Sequence, residues 1–255
     1  MSTIMQEYLT KATGIMNEIE ATQADKLEQV SQLFAQCIMS DGLVHVYGSG
    51  HSRMGVEEMF PRYGSFAGFH PIIEMSTTFY GQVYGANGIY QSMFIENVEG
   101  LAAQIVRSFE YKPQDVFLLF STSGVGNVCI DMAYEAHKLG LTVVAITGVK
   151  NSEKVISKHS SGRRLNDVAD IVLDTCVPVG DASMKIDGLR YPVGPMSTLA
   201  NTTIVNMLKV RIAEIMTQAG QPPYVITGSQ VIGAEAAKES FDLTIAEYYR
   251  RSKRL

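Results

Sequence analysis

The 255-residue chain has no window approaching the roughly 18 uninterrupted apolar residues of a membrane span. Its first residues, Met1-Ser2-Thr3-Ile4-Met5-Gln6-Glu7, lack a basic segment followed by an apolar one, so neither a spanning helix nor a secretory leader is expected. The location read from this is cytoplasmic, with no membrane partner. Cysteine is scarce: Cys37, Cys129 and Cys176 are odd in number, far apart and without Cys-x-x-Cys spacing. That argues against a disulfide framework and a structural zinc site, and for buried reduced thiols. No His/Asp/Glu spacing suggests a metal, and no cofactor is expected. With a net charge of -5 and no basic block, nucleic acid is not an expected partner. The one locally basic stretch, Tyr249-Arg250-Arg251-Ser252-Lys253-Arg254, reads as a solvated helix end whose charge complements the helix dipole.

Two nucleotide signatures are missing as well. There is no Walker-type Gly-Lys-Ser/Thr. Gly48-Ser49-Gly50-His51-Ser52-Arg53 begins like a dinucleotide fingerprint, and Glu74 closes a second strand where a ribose-binding acid belongs. Arg53 in the sixth position, however, hinders the close approach of helix and pyrophosphate that the pattern needs.

What remains is an ordinary globular composition, 46% hydrophobic and 18% charged, in a chain long enough for a sizeable core. Residues 6–40 carry a helical stripe, clearest at Leu27, Val30, Phe34, Cys37 and Ile38. Strands are expected at 43–47, 70–74, 115–120, 141–146 and 169–173, each a nearly continuous apolar run. Helices are expected at 53–60, 96–109, 130–139, 197–217 and 229–249; the Tyr/Gly-rich stretch through Tyr90 has no assignable pattern, and 174–195 reads as a long loop. The helix at 197–217 is apolar on more than one side and is expected between layers or in a subunit interface. Strands alternating with helices predict an α/β fold, a doubly wound parallel sheet of about five strands in three layers, with additional N- and C-terminal helices. Ligands of such sheets bind beyond the carboxyl ends of the strands.

Two turns fall at that edge. Val116 to Phe120 runs into Ser121-Thr122-Ser123-Gly124-Val125-Gly126-Asn127, and Leu43 to Tyr47 runs into Gly48-Ser49-Gly50-His51-Ser52. Hydroxyls, N–H groups at a helix start and closely approachable glycine backbone together suit an anion, above all a phosphate. Ser52 and Ser121, Thr122 and Ser123 are expected to converge on one, with Ser49, Gly124 and Asn127 beside them. Each hydrogen bond to the charged group is worth about 1.5–3 kcal/mol, so three or four suffice without a lysine.

The pair of motifs, Gly-x-Gly-x-Ser after one strand and Ser-x-Ser-Gly after another, resembles the sugar isomerase (SIS) domain family. The resemblance covers about 24–219 of a single domain spanning 1–255, with the N-terminal helices at 1–40 and a C-terminal helix at 229–250. Gly48 to Ser52, Glu57-Glu58 and Val179-Gly180-Asp181-Ala182 look most like stand-alone bacterial SIS proteins. It implies a flavodoxin-like topology, a phosphorylated sugar as ligand, and a homodimer or homotetramer. The family has Ser, Thr or Asn three places after the second serine, where this chain has Gly126, with Asn127 one step later. Arg53-Met54-Gly55-Val56 and Val98-Glu99-Gly100 are similar to N-acetylmuramic acid 6-phosphate etherases, which implies an acid–base role for Glu99; Gly124-Val125-Gly126 departs from the Gly-Arg-Thr of those enzymes.

Aldose–ketose isomerisation and lactyl-ether elimination both start by removing a proton beside a carbonyl, which calls for a carboxylate or histidine. The candidates are Glu58, Glu99, His51 and Glu57. Two readings stand for Glu58, catalysis and an i,i+4 pair with Arg62; Glu57 and Glu99 equally suit helix starts. His51 lies inside the anion turn, as ring-opening acid or phosphate contact, whereas His45 and His70 read as structural. The expected activity is phosphosugar isomerisation, with an etherase-like lyase and a non-catalytic phosphosugar sensor as alternatives.

Overall fold

The computed structural model describes residues 2–78 and 88–255. Five strands, β1 (Val44–Gly48), β2 (Phe69–Ile72), β3 (Val116–Phe120), β4 (Thr142–Thr147) and β5 (Ile171–Asp174), form one sheet in the order β2-β1-β3-β4-β5. Every pairing is parallel. The chain winds outward from β1 to β2 on one side and from β3 through β4 to β5 on the other, the doubly wound arrangement that continuous apolar strands predict. Pro71 sits in β2, an edge strand, where a missing N–H is tolerated.

Side chains alternate between the two faces of the sheet and feed two cores. Val116, Leu118 and Phe120 of β3 join Phe34, Ile204 and Leu208 on one face. Phe117 and Leu119 join Ile130, Met132 and Ala133 on the other. The first layer is built by α1 (Thr3–Met39), α2 (Arg53–Met59) and α9 (Ser197–Gln218). The second contains α5 (Leu101–Val106) and α6 (Asn127–Lys138). Short helices α3 (Met75–Thr78), α4 (Gly88–Ile95), α7 (Val149–Ser152) and α8 (Leu165–Val168) lie in the connections, and α10 (Ser229–Ile232) and α11 (Ala234–Ser252) end the chain.

Several elements differ from the sequence reading. The N-terminal segment is one 37-residue helix with no proline to break it. The helix expected at 96–109 is shorter, α5 alone: residues 96–100, which include Val98 of the stripe, form turns after α4, and Gly100 takes a left-handed φ of 88° at the N-cap of α5. The last helix is interrupted at Gly233, φ 83°. The expected loop at 174–195 contains a hairpin of β6 (Ala182–Met184) and β7 (Val193–Pro195). Asp181 orders it: Oδ1 accepts the N–H groups of Met196 and Ser197 at 2.9 and 2.7 Å, so Asp181 caps the start of α9 from outside the helix. The Tyr/Gly-rich residues 79–87 lie outside the described residues.

The basic tail is not a solvated end. Arg251 Nη1 donates to the Ile38 and Gly42 carbonyls at 3.0 and 2.9 Å, closing the end of α1, and Arg254 reaches Asp115 at the start of β3. Burial pushes the Asp115 carboxyl up, but hydrogen bonds from His45 and Arg254 outweigh it and hold it well below the usual range. His45, in turn, is pushed down by burial and stays neutral. Its Nε2–H therefore donates to Asp115 Oδ2 at 3.2 Å, which leaves Nδ1 to accept the Nδ1–H of His70 at 2.8 Å. Both histidines lie at the amino edge of the sheet, opposite the two serine turns.

Candidate functional site

The register pairs Gly48 of β1 with Phe120 of β3, so the two strands leave the sheet side by side at the point where its winding reverses. After β1 comes Ser49 and a 3-10 turn, Gly50–Ser52, that leads directly into α2. Gly48 is needed there, since a Cβ would lie 3.0 Å from the Ser52 carbonyl oxygen. Gly55 lets α2 settle on the floor of the site, because a Cβ at that position would meet the Phe120 ring at 2.5 Å. Ser52 stands at the N-cap position in helical backbone geometry, and its hydroxyl makes no bond to the helix.

The second turn is fastened from three sides. Ser121 N–H donates to the Ile146 carbonyl at 3.1 Å, Gly148 N–H to the Thr122 carbonyl at 3.2 Å, and Leu165 N–H to the Gly124 carbonyl at 2.8 Å. Gly124 N–H donates to the Ser121 hydroxyl at 3.2 Å, and Val125 N–H to the Ser123 hydroxyl at 3.5 Å. Both hydroxyls thus accept from the backbone, bonds that do not use their own protons. Gly124 has φ 67°, and a Cβ would lie 2.6 Å from the Ser152 hydroxyl. Gly126 differs: it caps α6 at φ -67° with nothing within 4 Å of an added Cβ, so a side chain would fit there. The Asn127 amide donates to the Asn97 carbonyl at 3.0 Å and ties α6 to the end of α4.

The expected acid–base residues do not share one environment. Glu58 accepts from Arg62 at 2.8 Å, Lys209 at 3.2 Å and Asn206 at 3.3 Å. Burial pushes its carboxyl up, but Arg62 and Lys209 prevail and the net displacement is downward. Lys209 also donates to the Glu58 carbonyl at 2.8 Å, so this cluster fastens the end of α2 to α9. Glu57 is exposed, 3.6 Å from Arg53, and His51 is exposed in the 3-10 turn. Glu99 is exposed and accepts the Ser160 N–H at 2.7 Å; hydrogen bonding from the Ser160 side chain, then from its backbone, lowers the carboxyl pKa. Beside it, Asp131 accepts Gly100 N–H at 2.7 Å and faces His159 Nε2 at 2.9 Å, so this group joins the loop after α4 to α6 and to the loop before α8.

Glu96, which sequence reasoning missed, is a carboxylate that links the first turn to the start of α6. Its Oε2 accepts the Ser49 hydroxyl at 2.8 Å, and its carbonyl accepts Val128 N–H in the first turn of α6 at 3.1 Å. Ser49, expected among the phosphate donors, therefore spends its proton on a carboxylate. Burial raises the Glu96 pKa, and the Ser49 bond offsets only part of this. In the sequence Glu96 is one acid behind an apolar run, and no motif marks it. Among the described residues, no group of three or more His, Cys, Asp or Glu side chains could hold a metal ion.

The sequence profile of the SIS domain matches residues 7–148, more than half of the chain. A UPF0309 protein of Thermoanaerobacter pseudethanolicus is 33% identical over 252 residues, 97% of this chain and 98% of its own. A UPF0309 protein of Caldanaerobacter subterraneus is 32% identical over 250 residues, with the same two coverages of 97% and 98%. Among solved structures, a phosphoheptose isomerase from Francisella tularensis superposes with a TM-score of 0.55 at 18% identity, over 84% of this chain and 100% of its own. A phosphoheptose isomerase from Neisseria gonorrhoeae gives 0.52 at 17% identity, over 84% and 97%. At these identities the likeness is one of fold. With the profile covering most of the sheet and full-length relatives at a third identity, the chain belongs to the SIS domain family, alongside the UPF0309 proteins.

Proposed function

We propose that this chain binds a phosphorylated sugar across the ends of β1 and β3 and interconverts its aldose and ketose forms. The observation that carries the reading is the pairing of Gly48 with Phe120, which sets the Ser49–Ser52 turn against the Ser121–Gly124 turn at the switch point. The phosphate is assigned to the hydroxyls of Ser52, Ser121, Thr122 and Ser123, close to the start of α6, where partial positive charge favours an anion. The sugar then extends toward α2 and α4, where the carboxylates and His51 lie. Isomerisation needs one group to carry a proton between neighbouring carbons, and no redox partner.

Thermal stabilisation by a panel of sugar 6-phosphates tests the binding. A ligand at a hundred times its Kd adds about 2.7 kcal/mol to folding, which a melting curve resolves. The double variant Ser121→Ala, Ser123→Ala is expected to lose most of that shift; an unchanged shift moves the phosphate elsewhere. A second reading, a phosphosugar sensor without chemistry, is favoured by the full engagement of Glu58 and Glu99 with neighbouring groups. No turnover of any bound sugar phosphate would select it, while lactate release from a lactyl-ether substrate would select the lyase. The assembly proposed is a homodimer or homotetramer in the cytoplasm, to be measured by light scattering of the purified chain.

A further inference from the structure

We propose that Glu96 is the catalytic carboxylate, moving the proton between the two reacting carbons of the bound sugar, an inference that rests on the phosphosugar reading of the site. It links the first serine turn to the start of α6, the helix that follows the second. The backbone of residue 96 is pinned to the first turn of α6 through Val128 N–H, and the carboxylate reaches the first turn through Ser49. A group tied to both of these elements stands beside a ligand held between the two turns.

Its surroundings distinguish it from the other acids. Glu58 faces Arg62 and Lys209, and Glu57 faces Arg53. The titratable groups that Glu96 acts on are instead the Tyr47 phenol and the Cys129 thiol. Burial pushes both up, the thiol to about 12, so both are neutral at ordinary pH. Among the described residues, burial raises the Glu96 carboxyl and the Ser49 hydroxyl is what lowers it, so it holds a proton more readily than an exposed carboxylate, which suits a group that must take and return one. Ser49 holds Oε2 at 2.8 Å, and the other oxygen is the one assigned to the substrate.

The chemistry closes without a co-reactant. The Glu96 carboxylate takes the proton from C2 of the open-chain aldose; the C–H electron pair becomes the C1–C2 double bond and the carbonyl pair moves onto O1. The O2 hydroxyl proton passes to O1 within the enediolate. Glu96 then returns its proton to C1 as O2 becomes the carbonyl oxygen, and the carboxylate is regenerated.

Three measurements on the full chain test this. In deuterium oxide, the wild type is expected to wash label into the carbon next to the carbonyl of a bound sugar phosphate, followed by mass spectrometry. Glu96→Gln should slow that exchange by about 10²–10⁴-fold with the ligand-induced melting shift retained. Exchange at the wild-type rate in Glu96→Gln, or no exchange by the wild type for any sugar phosphate that binds, overturns the assignment and leaves the binding site standing. If no sugar phosphate shifts the melt, the underlying reading fails, and Glu96 falls with it. Independently of substrate, carboxyl carbon-13 titration should show one glutamate above the usual range that disappears in Glu96→Gln and moves further up in Ser49→Ala. A Glu96 titrating at or below the ordinary glutamate value in the folded wild type overturns the proposal.

Discussion

The Arg254 guanidinium meets the Asp115 carboxylate fork to fork, Nη1 to Oδ2 at 2.7 Å and Nη2 to Oδ1 at 2.8 Å, with the acid fully buried. The second-to-last residue of the chain thus closes the amino end of the central strand. Removing one partner of a buried pair strands the other, so Arg254→Ala should cost about 3 kcal/mol in denaturant unfolding. Arg254→Lys should recover less than half, because an ammonium cannot reproduce the two-pronged contact.

The His70-His45-Asp115 chain predicts acid lability in two stages. Burial lowers His70 to about 3 and lowers His45 as well, so between the unfolded value near 6.5 and the folded one the unfolded chain binds more protons. Stability from the histidines is complete above that window and is lost as pH falls through it. For each such site the slope is about 1.4 kcal/mol per pH unit. Asp115, with a depressed folded pKa, adds a further loss below about 4, where the unfolded carboxyl takes up its proton. Unfolding midpoints between pH 7 and 4 should therefore decline, and His70→Asn, whose amide can imitate the Nδ1 donor, should flatten the decline.

The two glycines of the second turn should respond oppositely to substitution. Gly124→Ala forces a side chain into left-handed backbone and against Ser152, and is expected to cost about 1–3 kcal/mol and abolish ligand-induced stabilisation. Gly126→Ser meets no neighbour, narrows the unfolded ensemble and can cap α6, for a gain of about 0.5–1 kcal/mol. Differential scanning calorimetry with and without sugar phosphate reads both effects, and the Gly126→Ser shift with ligand should exceed the wild type's.

Glu58→Gln separates support from chemistry. The amide keeps a hydrogen bond to Lys209 only through its oxygen and loses the charge that two cations share, so stability should fall by about 1–2 kcal/mol. Proton exchange on a bound sugar phosphate should stay within about threefold of the wild type once folding is complete. A collapse of exchange larger than about tenfold, at a temperature where the variant is folded, would make Glu58 part of the reaction.

The strand–turn–helix units at 44–59 and 116–138 were legible because buried parallel strands are written as apolar runs and their turns as glycine and serine. The parallel sheet and the pairing of two hydroxyl turns followed from that alone. Glu96 was not legible, because its place depends on α4 ending against Val128 and on a hydroxyl 47 residues earlier in the chain. The late start of α5 is illegible for a related reason: Val98 and Leu101 keep helical spacing although the helix begins only after Gly100. Arg254 looked like a solvated charge since its partner lies 139 residues away. Local periodicity carries the scaffold, and long-range contacts decide which charges are buried and which acids face the cleft.

Gly48 and Phe120 are ladder partners, so the two serine turns leave the sheet one strand spacing apart, about 4.8 Å, whatever their side chains. The origin of the two turns belongs to the sheet and their chemistry to their own residues. Exchanging hydroxyls, or filling the open position at residue 126, changes which donors the turns present and leaves the strand pairing unchanged. Descendants of this scaffold can therefore change ligands by small steps in two short turns while the sheet beneath them stays as it is.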